Sequence, residues 1–461
     1  MRPFPYSERH LQCIWFDAAL RPQKLTTANG EPVAVENPGR WNLEAGPDFL
    51  DAVLVVGRAR RLLRGDVEVH IRPEDWRAHG HGAQAVYSRV VAHVTYLAPS
   101  TRPSDLPRGA LEIGLQQALA ADPFFSFENI DLSAYPHGVL DSRGAPCGRA
   151  VAGWTSARKV QLLEAAGAER LRKKTARIAV AVEERGPAQV FYEETMAALG
   201  FKHNRIPFRQ LARRLPLDRL METSAGRAVD AYALLLGVSG LIPRQIETWW
   251  DPETRLFVRS LWDIWWKQRA EWAHLAMEQC AWQNRGVRPA NHPLRRLAAA
   301  AQLFSRTRLL CSQLLKLDTA NPEVWFRETA GLFDGPPTIG YWTRRVSLGA
   351  RPAAREQALL GPGRIAAILT NVAVPWLGSQ GLHIAPLLIH LPAEDDSSSI
   401  RQTAFRFFGR DHNPALFAHG LRQQGLVQIY HDFCLSRRGC RDCQLAAALQ
   451  RAAHAPTRSN C

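Results

Sequence analysis

Two short stretches hold the densest chemistry of the 461-residue chain: Asn42-Leu-Glu44-Ala-Gly-Pro47-Asp48-Phe49 and Gly65-Asp66-Val-Glu68-Val-His70-Ile71. Side chains alternate faces along a strand, so Glu68 and His70 project on the same side. A hairpin centred near residue 59 is expected to set Asp48 opposite His70, with Glu68 one step along. Two carboxylates and an imidazole then converge, a cluster that repels itself unless a cation sits in it. Hard oxygen ligands on a partly hydrated site suit Mg²⁺ or Mn²⁺. The matching chemistry is phosphodiester hydrolysis: the ion polarises the phosphate and acidifies the attacking water, and His70 orients that water. Glu44 is a third carboxylate and an accessory ligand.

A second cluster follows in Asp75-Trp76-Arg77-Ala78-His79-Gly80-His81, with His93 on the next expected strand. His79 and His81, together with Glu68 and His70, could bind Zn²⁺ or another borderline ion as a mononuclear hydrolase site. Alternatively they contact phosphate, and any one histidine taken alone is more often a hydrogen-bonded structural residue. Near the other end, Cys434, Cys440 and Cys443 have C-x5-C-x2-C spacing. The C-x2-C half reaches adjacent vertices of a tetrahedral metal, and Arg437, Arg438 and Arg441 favour thiolate. The fourth ligand is open among Cys13, Cys147, Cys461, His431 and His412, and the metal between Zn²⁺ and a 4Fe–4S cluster. Free buried thiols are the plain alternative. Arg170, Arg172, Lys173, Lys174 and Arg177 form the strongest basic run, fit for nucleic-acid backbone or for an ordinary solvated helix face.

Composition frames these sites. Apolar residues make up 46% and charged residues 22%, which excludes disordered, collagen-like and coiled-coil chains. A net charge of +15 favours polyanionic partners, nucleic acid first. Only seven of the 58 basic residues are lysines, so part of the excess follows from an arginine-rich composition. The chain has no run of ~18 apolar residues and no signal-peptide core after Met1, so a cytoplasmic protein without membrane segments is expected. The spacing of the eight cysteines does not resemble a secreted disulfide framework.

The elements that must position these residues differ along the chain. Short β-branched runs at 33–35, 52–56, 67–71 and 90–96, after a helix over 6–19, predict an α+β domain over 1–134 with a mixed sheet and flanking helices. Helical periodicity over 156–184, 187–199, 206–214, 228–236, 256–280 and 294–317 predicts a larger, mostly α-helical domain over 149–334. A mixed, mainly helical C-terminal region with the cysteine cluster covers 335–461. Trp249, Trp250, Trp262, Trp265, Trp266 and Trp272 could stack bases, but their spacing is that of a helix core.

Pro47-Asp48, nineteen intervening residues and Glu68-Val69-His70 resemble the PD-(D/E)xK nuclease signature. The resemblance implies that Asp48 and Glu68 bind a catalytic metal, and that a preceding helix and a following helix and strand complete a nuclease-like core. His70 stands where that family carries lysine. Over nearly its full length the chain also resembles a bacterial family catalogued as a domain of unknown function. The matching residues run from Ile14-Trp15 through Gly46-Pro47-Asp48-Phe49, Gly65 to His70, His79-Gly80-His81, Asn204, Asn291 and Asn371 to the cysteines. That resemblance implies a shared architecture and no activity. The expected function is metal-dependent, nuclease-like phosphodiester hydrolysis of nucleic acid. A nucleic-acid-binding scaffold with a degenerate site, or a His-site metallohydrolase of a small substrate, are the alternatives; the oligomeric state is open.

Overall fold

The computed structural model describes residues 5–98, 102–123, 125–130, 132, 135, 145–201, 204–284, 287, 289–305, 307–334, 339–394, 397–409, 413–435, 440 and 443–454. The chain divides into two compact units. One comprises Met1–Lys159, Asp396–Asn413 and Leu426–Cys461; the other comprises Val160–Asp395 and Pro414–Gly425. The grouping cuts across the composition-based regions, because 426–461 joins the sheet-bearing unit while 339–394 joins the helices.

The first unit opens with α1 (Glu8–Phe16), whose Leu11, Ile14 and Trp15 recur at helical spacing and are buried. Strands β1 (Leu25–Thr26), β2 (Pro32–Asn37), β3 (Arg40–Trp41), β4 (Phe49–Val56) and β5 (Arg61–His70) follow. The chain then crosses over through the short helix α2 (Asp75–Ala78) and two 3₁₀ turns to β6 (Val90–Thr95) and β7 (Leu111–Gly114). The sheet order is β1-β2-β4-β5-β6-β7, with β3 paired to β4. Pairing is antiparallel from β1 to β5 and parallel from β5 to β7. A bridge from Thr27 to Ile113 joins the two ends, so the mixed sheet is nearly a barrel.

The ten-residue strand β5 has two different faces in its buried half. Val67 and Val69 enter the main core with Phe49, Leu54, Ala92, Val94, Ile113 and the apolar side of α1. On the other face Glu68 and His70 are buried although polar, together with His93 and Thr95 on β6. Trp76, Tyr87, Val90, Leu106 and Ala110 form a second, smaller apolar cluster. Burial on both faces is what a strand inside a parallel region requires.

The hairpin register differs from the expected one. Val56 pairs Arg61 and Ala52 pairs Gly65, but Phe49 pairs Val67, so the register moves by one residue between Phe49 and Ala52. Asp51 supplies the shift with a left-handed backbone (φ 58°). Its amide donates to Asp66 Oδ1 at 3.0 Å. Asp48 therefore falls beside Glu68 rather than opposite His70.

Helices α3 (Gln116–Ala120) and α4 (Pro146–Val151) complete the N-terminal part. The second unit is helical, beginning with α5 (Ser156–Arg185), α6 (Pro187–Leu199) and α7 (Arg205–Arg214). Its core gathers Phe191, Tyr192, Leu234, Leu297, Trp325, Trp342 and Trp376. The tryptophans read as core or as base-stacking residues are split: Trp250, Trp265 and Trp272 are buried, while Trp249 and Trp266 are exposed. Among the described residues no helix is long and apolar enough to cross a membrane.

Candidate metal centre

The polar face of β5 is the floor of the site. Parallel pairing sets Glu68 beside His93, and His93 beside Glu112 on β7. The crossover after β5 supplies the opposite wall. Between His79 and His81, Gly80 adopts a left-handed conformation (φ 73°) that a Cβ would strain. The resulting bend turns both flanking imidazoles toward β5.

The outcome is a tight convergence on His70. Its Nε2 lies 3.1 Å from His79 Nδ1, 3.2 Å from His81 Nε2 and 3.4 Å from Glu68 Oε1. Glu68 Oε1 is also 3.0 Å from His81 Nε2. Among the described residues, His70, His79 and His81 are the group whose ligand atoms all lie within 4.8 Å of one another. Three polar atoms of neighbouring side chains thus press on one imidazole nitrogen, which in either tautomer makes at most one good hydrogen bond as donor. A cation relieves this: bonds of ~2.0 to 2.1 Å to a tetrahedral ion set ligand atoms ~3.3 Å apart, close to the spacing seen.

Behind the cluster, His70 Nδ1 is 2.9 Å from His93 Nε2, which fixes the ring so that Nε2 points into the cluster. His81 stacks on Tyr87 with ring centroids 3.9 Å apart, and Trp76 meets His81 and His93 edge-on at 5.3 and 5.4 Å. Burial, with its histidine neighbours, holds His70 well below the usual imidazole range. Burial likewise lowers His81 and His93 to about 4. All three are therefore neutral at physiological pH, the form that binds metal. Glu68 shows the opposite: burial foremost, then Glu8, push its carboxyl well up.

Asp48 stands next to this cluster with both carboxylate oxygens engaged. Oδ1 accepts Gln12 Nε2 at 2.7 Å and Oδ2 accepts the Val69 amide at 3.0 Å. Its own amide donates to Glu68 Oε2 at 3.0 Å, so Asp48 holds Glu68 in place. Burial and then Glu68 raise Asp48 well above the carboxylate range. Glu44 lies elsewhere, beside Tyr430, whose hydroxyl burial and then Glu44 push up to about 12. The nitrogen-rich donor set of three imidazoles and one carboxylate suits a borderline divalent ion such as Zn²⁺ better than Mg²⁺.

Glu8, in the first turn of α1, is a residue that sequence reasoning missed. It accepts the Ile71 amide at the end of β5, and burial, then Asp48 and Asp75, raise it to about 7. The one signal for it is an acid opening an amphipathic helix, which also describes an ordinary N-terminal charge.

The basic run of α5 is engaged within the chain. Arg172 and Lys173 pair with Glu169, Arg177 with Glu194, Arg170 with Gln424, and Lys174 with Asn371. Cys434, Cys440, Cys443, Cys13 and Cys147 form no disulfide with one another. Cys461 and His412 lie outside the described residues.

A nearly closed mixed sheet thus carries a cluster of three histidines and one carboxylate. The chain belongs to a family described as a protein of unknown function, DUF2851, whose model matches residues 8–385. No curated protein and no solved structure matches it.

Proposed function

We propose that the protein is a metal-dependent hydrolase whose working ion is held by His70, His79, His81 and Glu68. The observation that carries this is the convergence of two imidazole nitrogens and one carboxylate oxygen on His70 Nε2, with contacts of 3.0 to 3.4 Å among them and the three nitrogens all within 4.8 Å of one another. The ion would supply Lewis acidity and a water of lowered pKa. His93 holds His70 in its coordinating orientation, and Asp48 holds Glu68 through its backbone amide. The half-buried His79 marks the side from which substrate enters. Glu8, on α1 with its carboxyl accepting the Ile71 amide just past β5 and raised to about 7, would take the proton from the attacking water.

The substrate class this reading favours is the nucleic-acid phosphodiester. An antiparallel meander in which Asp48 immediately precedes β4 and Glu68 lies on the adjacent β5, followed by a crossover to a parallel strand, is the arrangement expected of a PD-(D/E)xK-like core. The net charge of +15 draws polyanions toward the protein. The test is elemental analysis of the purified chain, followed by cleavage assays on single- and double-stranded DNA and RNA and on a small chromogenic phosphodiester. About one transition-metal ion per chain, lost with the activity in His79→Ala, is the expected result. Metal content at background after incubation with Zn²⁺, Mn²⁺ and Fe²⁺ would overturn the proposal. Full metal loading without cleavage of any phosphodiester would leave the ion structural.

A further inference from the structure

The cysteines supply a second site, independent of the histidine cluster and placed wholly within the sheet-bearing unit. Helix α4 packs against the helices Ser398–Phe408 and Gln444–His454. The approach is close because Gly148 has no side chain: a Cβ there would meet the Arg406 carbonyl at 2.5 Å. Next to Gly148, the buried Cys147 thiol lies 3.9 Å from the same carbonyl. The Arg406 guanidinium in turn bonds the Cys434 thiol, and Cys443 immediately precedes the helix Gln444–His454. Arg406 thus links Cys147 to Cys434, and packing of α4 brings Cys147 to the C-terminal run.

We propose that Cys147, Cys434, Cys440 and Cys443 bind a 4Fe–4S cluster, with Cys147 as the remote fourth ligand. Four thiolates beside one guanidinium form a soft, strongly anionic donor set, which a thiophilic metal neutralises. Spacing selects the kind of metal. A single Zn²⁺ with bonds of ~2.3 Å holds its four sulfurs ~3.8 Å apart. No three of these described thiols come within 4.8 Å of one another. In a cluster each thiolate binds its own iron, so its sulfurs stand farther apart than the ligands of one zinc ion. The cluster would tie α4 to the end of the chain.

The test uses the full chain purified anaerobically. Iron and acid-labile sulfide in equal amounts, about four of each per chain, are expected, falling at least ~10-fold in Cys147→Ser and in Cys440→Ser but not in Cys311→Ser. Because a ligand variant can fail to fold, a second measurement uses wild type alone. Thiol alkylation mapped by mass spectrometry should leave 147, 434, 440 and 443 protected together and released together by a chelator, while the exposed Cys280 reacts at once. One zinc per chain in place of iron overturns the cluster. Iron retained in folded Cys147→Ser, or Cys147 reacting independently of the other three, overturns its assignment as ligand.

Discussion

Two buried groups of ionisable side chains in this molecule are built on opposite plans. On α6, Glu194 accepts both prongs of Arg177 at 2.7 and 2.8 Å and Arg209 at 3.1 Å, while Glu193 accepts Arg185, Arg213 and Gln189 at 3.0 to 3.2 Å. Burial alone would raise Glu194, yet these arginines hold it below the usual carboxylate range. At β5 the acids Glu68 and, on the neighbouring segment, Asp48 are raised, and the imidazoles of His79 and His81 crowd His70. The first group carries its own cations and needs nothing further. The second has Arg9 acting on Asp48, yet both acids stay well above the carboxylate range, and a buried cluster of perturbed groups of this kind is the mark of a candidate functional site.

Breaking each group should therefore have different consequences. The largest effect is expected for Glu68→Gln, which removes an anionic ligand and should lower the metal-dependent rate by at least ~10³-fold, about 4 kcal/mol. Its effect on the metal-free fold should be neutral or favourable. Because the folded pKa of Glu68 lies above its unfolded value, its contribution is fully present below pH ~4.5 and lost as pH rises through the folded value, a cost the neutral amide avoids. Denaturant titration with chelator present checks this, and marked destabilisation of the apo form would show Glu68 to be a self-sufficient structural acid. For Glu194→Ala the expectation is reversed. It leaves Arg177 and Arg209 without their partner and should destabilise by about 2 to 4 kcal/mol, discounted because Arg177 is half exposed, with metal content unchanged.

Glu8 tests whether the acids around the site act as a unit. With a folded pKa of about 7, it is protonated below that pH and a base above it. The rate should rise through pH ~7 and level off, and Glu8→Gln should remove that limb and lower the plateau by ~10²-fold. A pH–rate profile that keeps its ascending limb in Glu8→Gln would assign the proton acceptor to another group, the metal-bound water itself being first in line.

Much of the site is visible in the chain because its spacings are local. Glu68 and His70 share a strand face by alternation, and His79-Gly80-His81 is a compact pair; the structure joins them because the crossover from β5 to β6 is short. What the chain does not display is long-range. The contact of Glu8 with Ile71 depends on how α1 lies across the sheet, and no spacing encodes that. The bulge at Asp51 is hidden because its left-handed backbone falls on a residue other than glycine, one of the few types that tolerate it. By contrast, the engagement of Arg172 and Lys173 is legible: Glu169 stands three and four residues before them on one helix.

The smallest expected effect belongs to His93, and it decides how far the metal centre extends. His93 is fully buried, and its Nε2 faces His70 Nδ1 at 2.9 Å. If His70 binds metal through Nε2, its Nδ1 carries the proton and donates it to His93 Nε2, so His93 serves as an acceptor that never touches the ion. His93→Phe keeps a ring against Trp76 but removes the acceptor. Metal affinity should then fall ~10- to 100-fold, about 1.4 to 2.7 kcal/mol, with stoichiometry unchanged. Competition against a chromophoric chelator measures this directly. A loss as complete as that of His79→Ala would make His93 a ligand, and an unchanged affinity would mean that Tyr87 and Trp76 packing alone orients the histidines.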